Sequence, residues 1–257
     1  MFDWIFSLVA GVLIFSFLVY FAVQHTDLFG KVTARVVAEE LDVIFSGYET
    51  TESKSVLDFG KEVELEFSCD YSKQRFKINN EGGKNFWGKI VFAPKNIKND
   101  KINIATVSWD VPFRVANFVY LWDRGYNLEN PPQDLDLLSS IDSNSGAKIK
   151  FVDSVNKELG CKDAEKGERT IYYDIQDENY YGYVCFGKNR DLVEFYGEAM
   201  MFGAIFSEDK DTFECIKDIS YDRLKIVGNV YLGKINSIIN SITFNGPNCL
   251  GTGNYED

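Results

Sequence analysis

Residues Glu62–Phe67 read Glu-Val-Glu-Leu-Glu-Phe, three acids alternating with three apolar residues. Successive side chains of a strand point to opposite faces. The pattern therefore puts Val63, Leu65 and Phe67 on one buried face and leaves the glutamates in water. A period of two runs through Ser55–Trp109, and the spacing predicts further strands over Gln74–Asn79, Phe86–Ala93 and Lys101–Ser108. Turn-forming residues break the pattern at Asn79–Gly83 and Pro94–Lys101. Val111–Trp122 (VPFRVANFVYLW) is mostly apolar and fits either strand or helix. Asn127–Gly146 holds Pro131-Pro132 and a Ser/Asp/Asn-rich run, which predicts an exposed loop and the natural place for the head to divide.

Beyond that loop the strand pattern returns over Ala147–Val152, Arg169–Ile175, Tyr180–Gly187 and Leu192–Tyr196, with a polar hairpin turn at Gln176–Asn179. Ala199–Phe206 is apolar and reads as buried. From Lys210 to about Asn240 the apolar period becomes helical, with Gly228 and Gly233 as points where the helix bends or breaks. Asn245–Asp257 is a Gly/Asn-rich tail.

Upstream, Trp4–Val23 (WIFSLVAGVLIFSFLVYFAV) is twenty residues without a charge. At about 1.5 Å per residue it is long enough for the hydrocarbon core of a bilayer. A cleaved secretory signal fits poorly, because the start is Met1-Phe2-Asp3 and the exit is Phe21-Ala22-Val23-Gln24-His25. A buried core helix fits less well than a retained span, since the run is apolar all round. Trp4 and Tyr20 sit where interfacial aromatics belong. Next, Leu28, Val32, Val36, Leu41, Ile44 and Phe45 mark one helical face, ended by Gly47; this is the candidate assembly face. The expected fold is α+β: an N-terminal transmembrane helix continuing into an amphipathic helix, then a mostly antiparallel β-rich head with a C-terminal helix. Its regions are an anchor (1–24), an amphipathic helix (25–47), a first β-rich region (48–126), the exposed loop (127–146) and a second β-rich region with the C-terminal helix (147–257).

Charge and cysteine content narrow the compartment and the partners. The net charge is −12; residues 1–46 carry two basic and five acidic groups, which leaves −9 on residues 47–257. An acidic head repels phosphate backbones, so nucleic acid is not an expected partner. Lys31 and Arg35 after the span favour a cytoplasmic head, whereas Cys69, Cys161, Cys185, Cys215 and Cys249 favour an oxidising compartment. The balance falls on an extracytoplasmic head. None of the five cysteines lies in a CxxC, and a bridge between Cys215 and Cys249 is the candidate disulfide.

His25 is the only histidine, so the head has none. That removes Ser-His-Asp and Cys-His catalysis and histidine-ligated metals there. Asp142–Asp153 has the length of a calcium loop but lacks its turn glycine and final glutamate. Glu194 and Glu198 are the carboxylates to test first for glycoside hydrolysis. Tyr172, Tyr173, Tyr181 and Tyr183 crowd one hairpin and form a candidate aromatic platform, set against ordinary cross-strand packing.

The order of apolar helix, amphipathic continuation and β-rich head resembles, over residues 1–46, the lollipop plan of type IV pilin-like subunits. The stretch Trp109–Phe118 (WDVPFRVANF) is similar to uncharacterised single-pass membrane proteins of small archaeal genomes. These resemblances imply membrane location and assembly, and no activity. The expectation is a single-pass, membrane-anchored, extracytoplasmic module of the cell envelope, of structural, adhesive or pilin-like assembly type. It is non-catalytic and needs no cofactor. Its partners are membrane lipid and a protein or second copy on the amphipathic helix. The alternatives are an anchored carboxylate-dependent hydrolase acting on glycans and a tethered ligand-binding module.

Overall fold

The structure is a computed structural model that describes residues 11–20, 39, 41–47, 52–71, 73–79, 81–86, 88–133, 135–139, 141, 146–153, 168–176, 179–187 and 192–244. It is α+β, mostly sheet, with a long C-terminal helix. Residues 11–20 and 41–47 are helical. Among the described residues no helix is long and apolar enough to cross a membrane. The run Trp4–Val23 lies outside them except for residues 11–20, whose side chains are all exposed.

The first sheet contains β1 (Ser53–Asp70), β2 (Lys73–Ile78), β3 (Glu81–Asn85), β4 (Ile90–Phe92), β5 (Asn96–Asp110) and β6 (Arg114–Trp122), in the order β3-β2-β1-β5-β6-β4. Only β4 and β6 run parallel in it. The Glu62–Phe67 alternation is realised on β1: Val63, Leu65 and Phe67 are buried. The expected turn Asn79–Gly83 instead feeds β3, which pairs with β2 after Asn79 takes a positive φ of 50°. Val111–Trp122, ambiguous by pattern, resolves as strand because both faces of β6 find a core. Phe118, Tyr120 and Trp122 join one cluster, and Val119 and Leu121 the other.

β3 and β4 stand at opposite edges of this sheet, yet only residues 86–89 connect them. The sheet must therefore curl until its edges approach. Gln74 on β2 closes the gap with its side chain. Its Nε2 donates to the Val91 carbonyl at 2.5 Å, and its Oε1 accepts from the Val91 N–H at 3.1 Å. One amide side chain thus stands in for a missing pair of ladder bonds and protects the β4 edge. The enclosed core includes Leu65, Phe76, Ile78, Ile97, Ile104 and Val119, and Leu41 and Phe45 of the helical residues 41–47 pack into it. We predict that Gln74→Leu costs about 2–3 kcal/mol in chemical denaturation, because two buried backbone groups lose their partner.

The second sheet contains β7 (Asn127–Glu129), β8 (Lys148–Asp153), β9 (Arg169–Gln176), β10 (Asn179–Phe186) and β11 (Leu192–Tyr196), in the order β11-β10-β9-β8-β7. β7, β8 and β9 run parallel, and the expected hairpin holds, with Gln176 and Asn179 as partners. The described part of the loop expected over 127–146 is exposed or half-buried through residues 127–133 and mostly buried from Leu135 to Ile141. It contributes β7 and a single helical turn, Asp136–Ser139, and Leu135, Leu137, Leu138 and Ile141 are buried in the main core. The prolines and polar residues dominated the sequence pattern, while the leucines between them supply the burial.

Between the sheets lies the helix Glu198–Phe206, with all of Ala199–Phe206 buried. It touches β5 and β6 on one side and β9, β10 and β11 on the other. A helix apolar on every face belongs in such a position. Tyr120 Oη donates to the Ala199 carbonyl at 2.6 Å. At the other end the buried Arg169 guanidinium donates to the carbonyls of Ile205 and Ser207, satisfying groups the helix leaves open. Burial pushes the Arg169 pKa down, and the neighbouring Tyr126 opposes this. The C-terminal helix then runs unbroken from Lys210 to Phe244, through Gly228 and Gly233.

Candidate functional site

A concavity lies where the C-terminal helix crosses the β3–β4 connector. It has a volume of about 340 Å³, and Gln74, Phe86, Lys89, Arg223 and Ile226 are among its walls. Its shape follows from the curl of the first sheet, which brings β2, β3 and the connector against the helix. Two fasteners hold the connector. Arg223 donates to the Gly88 carbonyl and, at 3.4 Å, to that of Val115. From the other side, the Lys89 ammonium, almost fully buried, donates to the Asp42 carboxylate at 2.6 Å and to the Asp42 carbonyl at 2.9 Å. Lys84 adds a bond to the same carboxylate at 3.1 Å.

The hydrogen bond from Lys89 holds the Asp42 carboxyl below its ordinary value of 3.8, against the opposing effect of burial. A depressed folded-state pKa adds stability that is present above the unfolded value and fades as pH falls through the folded one. The Asp42 side chain is 39% exposed, so solvent screens much of its attraction. We predict that Asp42→Asn costs about 1–2 kcal/mol at neutral pH, chiefly through the buried Lys89 ammonium left without a carboxylate. The difference from the parent chain should shrink steadily below pH 3.8 in urea titrations.

A second opening of about 330 Å³ lies across Arg223, lined by Arg114, Asn117 and Tyr231 among others. Arg114 donates from Nε and Nη2 to Asn117 Oδ1, at 3.2 and 2.6 Å. Lys89, Arg114 and Arg223 around these openings thus fasten the fold. An apolar slot with cationic rims can hold an apolar or acidic group; among the described residues no nucleophile–base pair lines it. Among the described residues, no group of three or more His, Cys, Asp or Glu is placed to hold a metal.

The residues singled out from sequence fall in different places. Leu41 and Phe45 are buried at 1% and 0% exposure and Ile44 packs against the same core, so this half of the expected assembly face is occupied by the chain's own head. Leu28, Val32 and Val36 lie outside the described residues. The four tyrosines do not form one platform, because the pleat divides them. Tyr173 points inward, edge-on to Phe151 and tilted on Tyr180, at centroid distances of 6.4 and 5.8 Å. Tyr172 pairs with Tyr183 across β9 and β10 and is buried with Cys185 on the other face. Tyr181 donates to Asp174 Oδ2 at 2.8 Å. Glu194 and Glu198 are both exposed, Glu198 in the first turn of the buried helix. The calcium-length loop begins outside the described residues.

Cys215 is bonded to Cys69, not to Cys249, with a Cα–Cα distance of 6.0 Å. The correction has a geometric cause. The unbroken helix carries residue 244 about 43 Å from residue 215, and the five residues on to 249 reach back at most about 17 Å. Sequence reasoning missed Cys69 because β1 and the helix are 146 residues apart. Cys185 is also in a disulfide. Gln74, Arg169 and Arg223 were missed as well, since an isolated polar residue carries no periodic signal. The chain matches no protein family model, no curated protein and no solved structure.

Proposed function

We propose that the chain is a single-pass, membrane-anchored module whose head works outside the cytoplasm in envelope structure, adhesion or assembly, without catalysis. The observation that carries this reading is the Cys69–Cys215 bond joined to the uncharged run Trp4–Val23. Disulfides persist in oxidising compartments, and a head closed by such bonds belongs on that side of a membrane. The uncharged run supplies the tether. The histidine-free head and the structural employment of Lys89, Arg114, Arg169 and Arg223 favour binding over chemistry.

Maleimide labelling of intact and lysed cells, with and without reductant, tests the reading. The chain should stay with membranes through an alkaline carbonate wash and its bridged cysteines should label only after reduction. A chain washed free, or one whose Cys69 and Cys215 label at once in lysates, would count against it. The 340 Å³ slot beside Phe86 and Lys89 favours a second reading, a tethered ligand-binding module.

A further inference from the structure

The C-terminal helix changes character at Ile226. Residues 210–225 hold eight charged side chains, four of them acids. Residues 226–244 hold one charge, Lys234, and no acid. A chain with 39 acids in 257 residues would place about three there. The surroundings change within two turns of that point, after Val227, which still packs against the head, and Tyr231, whose ring lies 4.4 Å from that of Phe113. Phe213, Ile216 and Ser220 are buried against the head, whereas Leu232, Ile235, Ile238 and Ile239 are 50–59% exposed.

At about 100° per residue these four side chains fall within an arc of about 120°. Asn236, Ser237, Asn240 and Ser241 lie opposite, with Ile226 and Val230 among them at the start of this half. Lys234 stands near the border, its Nζ 5.6 Å from the Tyr231 ring centroid, so its stem follows the apolar edge while its charge stays outside. An exposed apolar patch of this continuity marks an interaction surface. A second protein helix would cover the arc but set no condition on the opposite face, where acids would be tolerated. Exclusion of acids from every face fits an anionic lipid surface, which repels carboxylates and accepts an apolar arc among its acyl chains.

The placement agrees. Arg223, just before the change, is bonded to Gly88, and Asp42 is bonded to Lys89. The exposed half of the helix and the segment that follows the N-terminal run therefore both lead off from the same short connector. No described helix is long and apolar enough to span, so this one would lie along the surface.

We infer that residues 226–241 form a lipid-binding helix that lies in the membrane interface with Leu232, Ile235 and Ile239 sunk among acyl chains. The inference rests on the membrane reading above. It gives the head a second contact with the bilayer and a defined orientation on it.

The test uses the full chain in phosphatidylcholine vesicles containing a quarter phosphatidylglycerol. A polarity-sensitive dye is attached at Ile239→Cys or, as a control, at Lys225→Cys, with the unsubstituted chain labelled in parallel as background. Dibrominated acyl chains should quench the dye at 239 roughly five-fold more than at 225, as an apolar face at acyl depth requires. Ile235→Asp with Ile238→Asp should remove the difference while the chain still floats with the vesicles. Flotation with equal quenching at both positions overturns the lipid contact and leaves the anchor intact. Protection of the dye at 239 without quenching, or cross-links from that position to another copy, overturns it in favour of a protein partner. Flotation abolished by the double substitution keeps the helix and sinks the N-terminal anchor. Failure to float at all sinks both.

Discussion

Replacing Cys69 and Cys215 by alanine will lower the stability of the head by about 3–5 kcal/mol in guanidinium titrations, by the chain-entropy estimate for a long loop. The bridge joins β1 to the second turn of the C-terminal helix across 146 residues. Without it the unfolded chain regains the freedom that the bridge removes. The helix keeps its apolar seating through Phe213 and Ile216, so the folded head should survive with its circular dichroism little changed. Reductant should destabilise the parent chain by at least as much as the double substitution, since Cys185 is bridged too. A parent chain indifferent to reductant would show that these bonds do not hold the head together.

Phe92→Ala will cost about 3–5 kcal/mol, the usual range for emptying a large buried aromatic site. Phe92 is fully buried and packs on Phe118, Tyr120 and Phe213, with ring centroids 5.4–6.1 Å apart. The same ring explains the glycine on the buried helix. A Cβ on Gly203 would stand 2.6 Å from the Phe92 ring, so helix and sheet approach only because residue 203 has no side chain. Gly203→Ala alone should therefore cost about 1–3 kcal/mol through overpacking. Combined with Phe92→Leu, part of that loss should return, and the coupling of the pair by double-mutant cycle should exceed about 0.5 kcal/mol. Additive losses would place the two residues out of contact. Gly182 makes a similar demand on backbone: a Cβ there would stand 1.9 Å from the Tyr172 carbonyl oxygen.

Much of the strand content was legible because burial alternates with the pleat. The Glu62–Phe67 pattern, the Gln176–Asn179 hairpin and the strands on either side of it follow from local periodicity. The C-terminal helix was legible for the same reason, and its glycines misled because one Gly costs a helix only about 1 kcal/mol relative to Ala, too little to break one of this length. In the region 127–146 the buried residues were not legible, because four apolar residues scattered among prolines and serines have no period. The slot at the connector was not legible at all. It depends on the curl of the first sheet, on one glutamine amide meeting Val91 and on Arg223 meeting Gly88, none of which leaves a local trace.

The chain by itself determined the α+β composition, the uncharged N-terminal run, the acidic histidine-free head and the loss of acids along the end of the last helix. Those are properties of which residues follow one another. Tertiary structure alone decided which cysteine meets Cys215, which tyrosines share a face, and that Leu41 and Phe45 seal the chain's own core. Such pairings join residues tens to more than a hundred positions apart, and only the closing of the sheets around their cores selects among them.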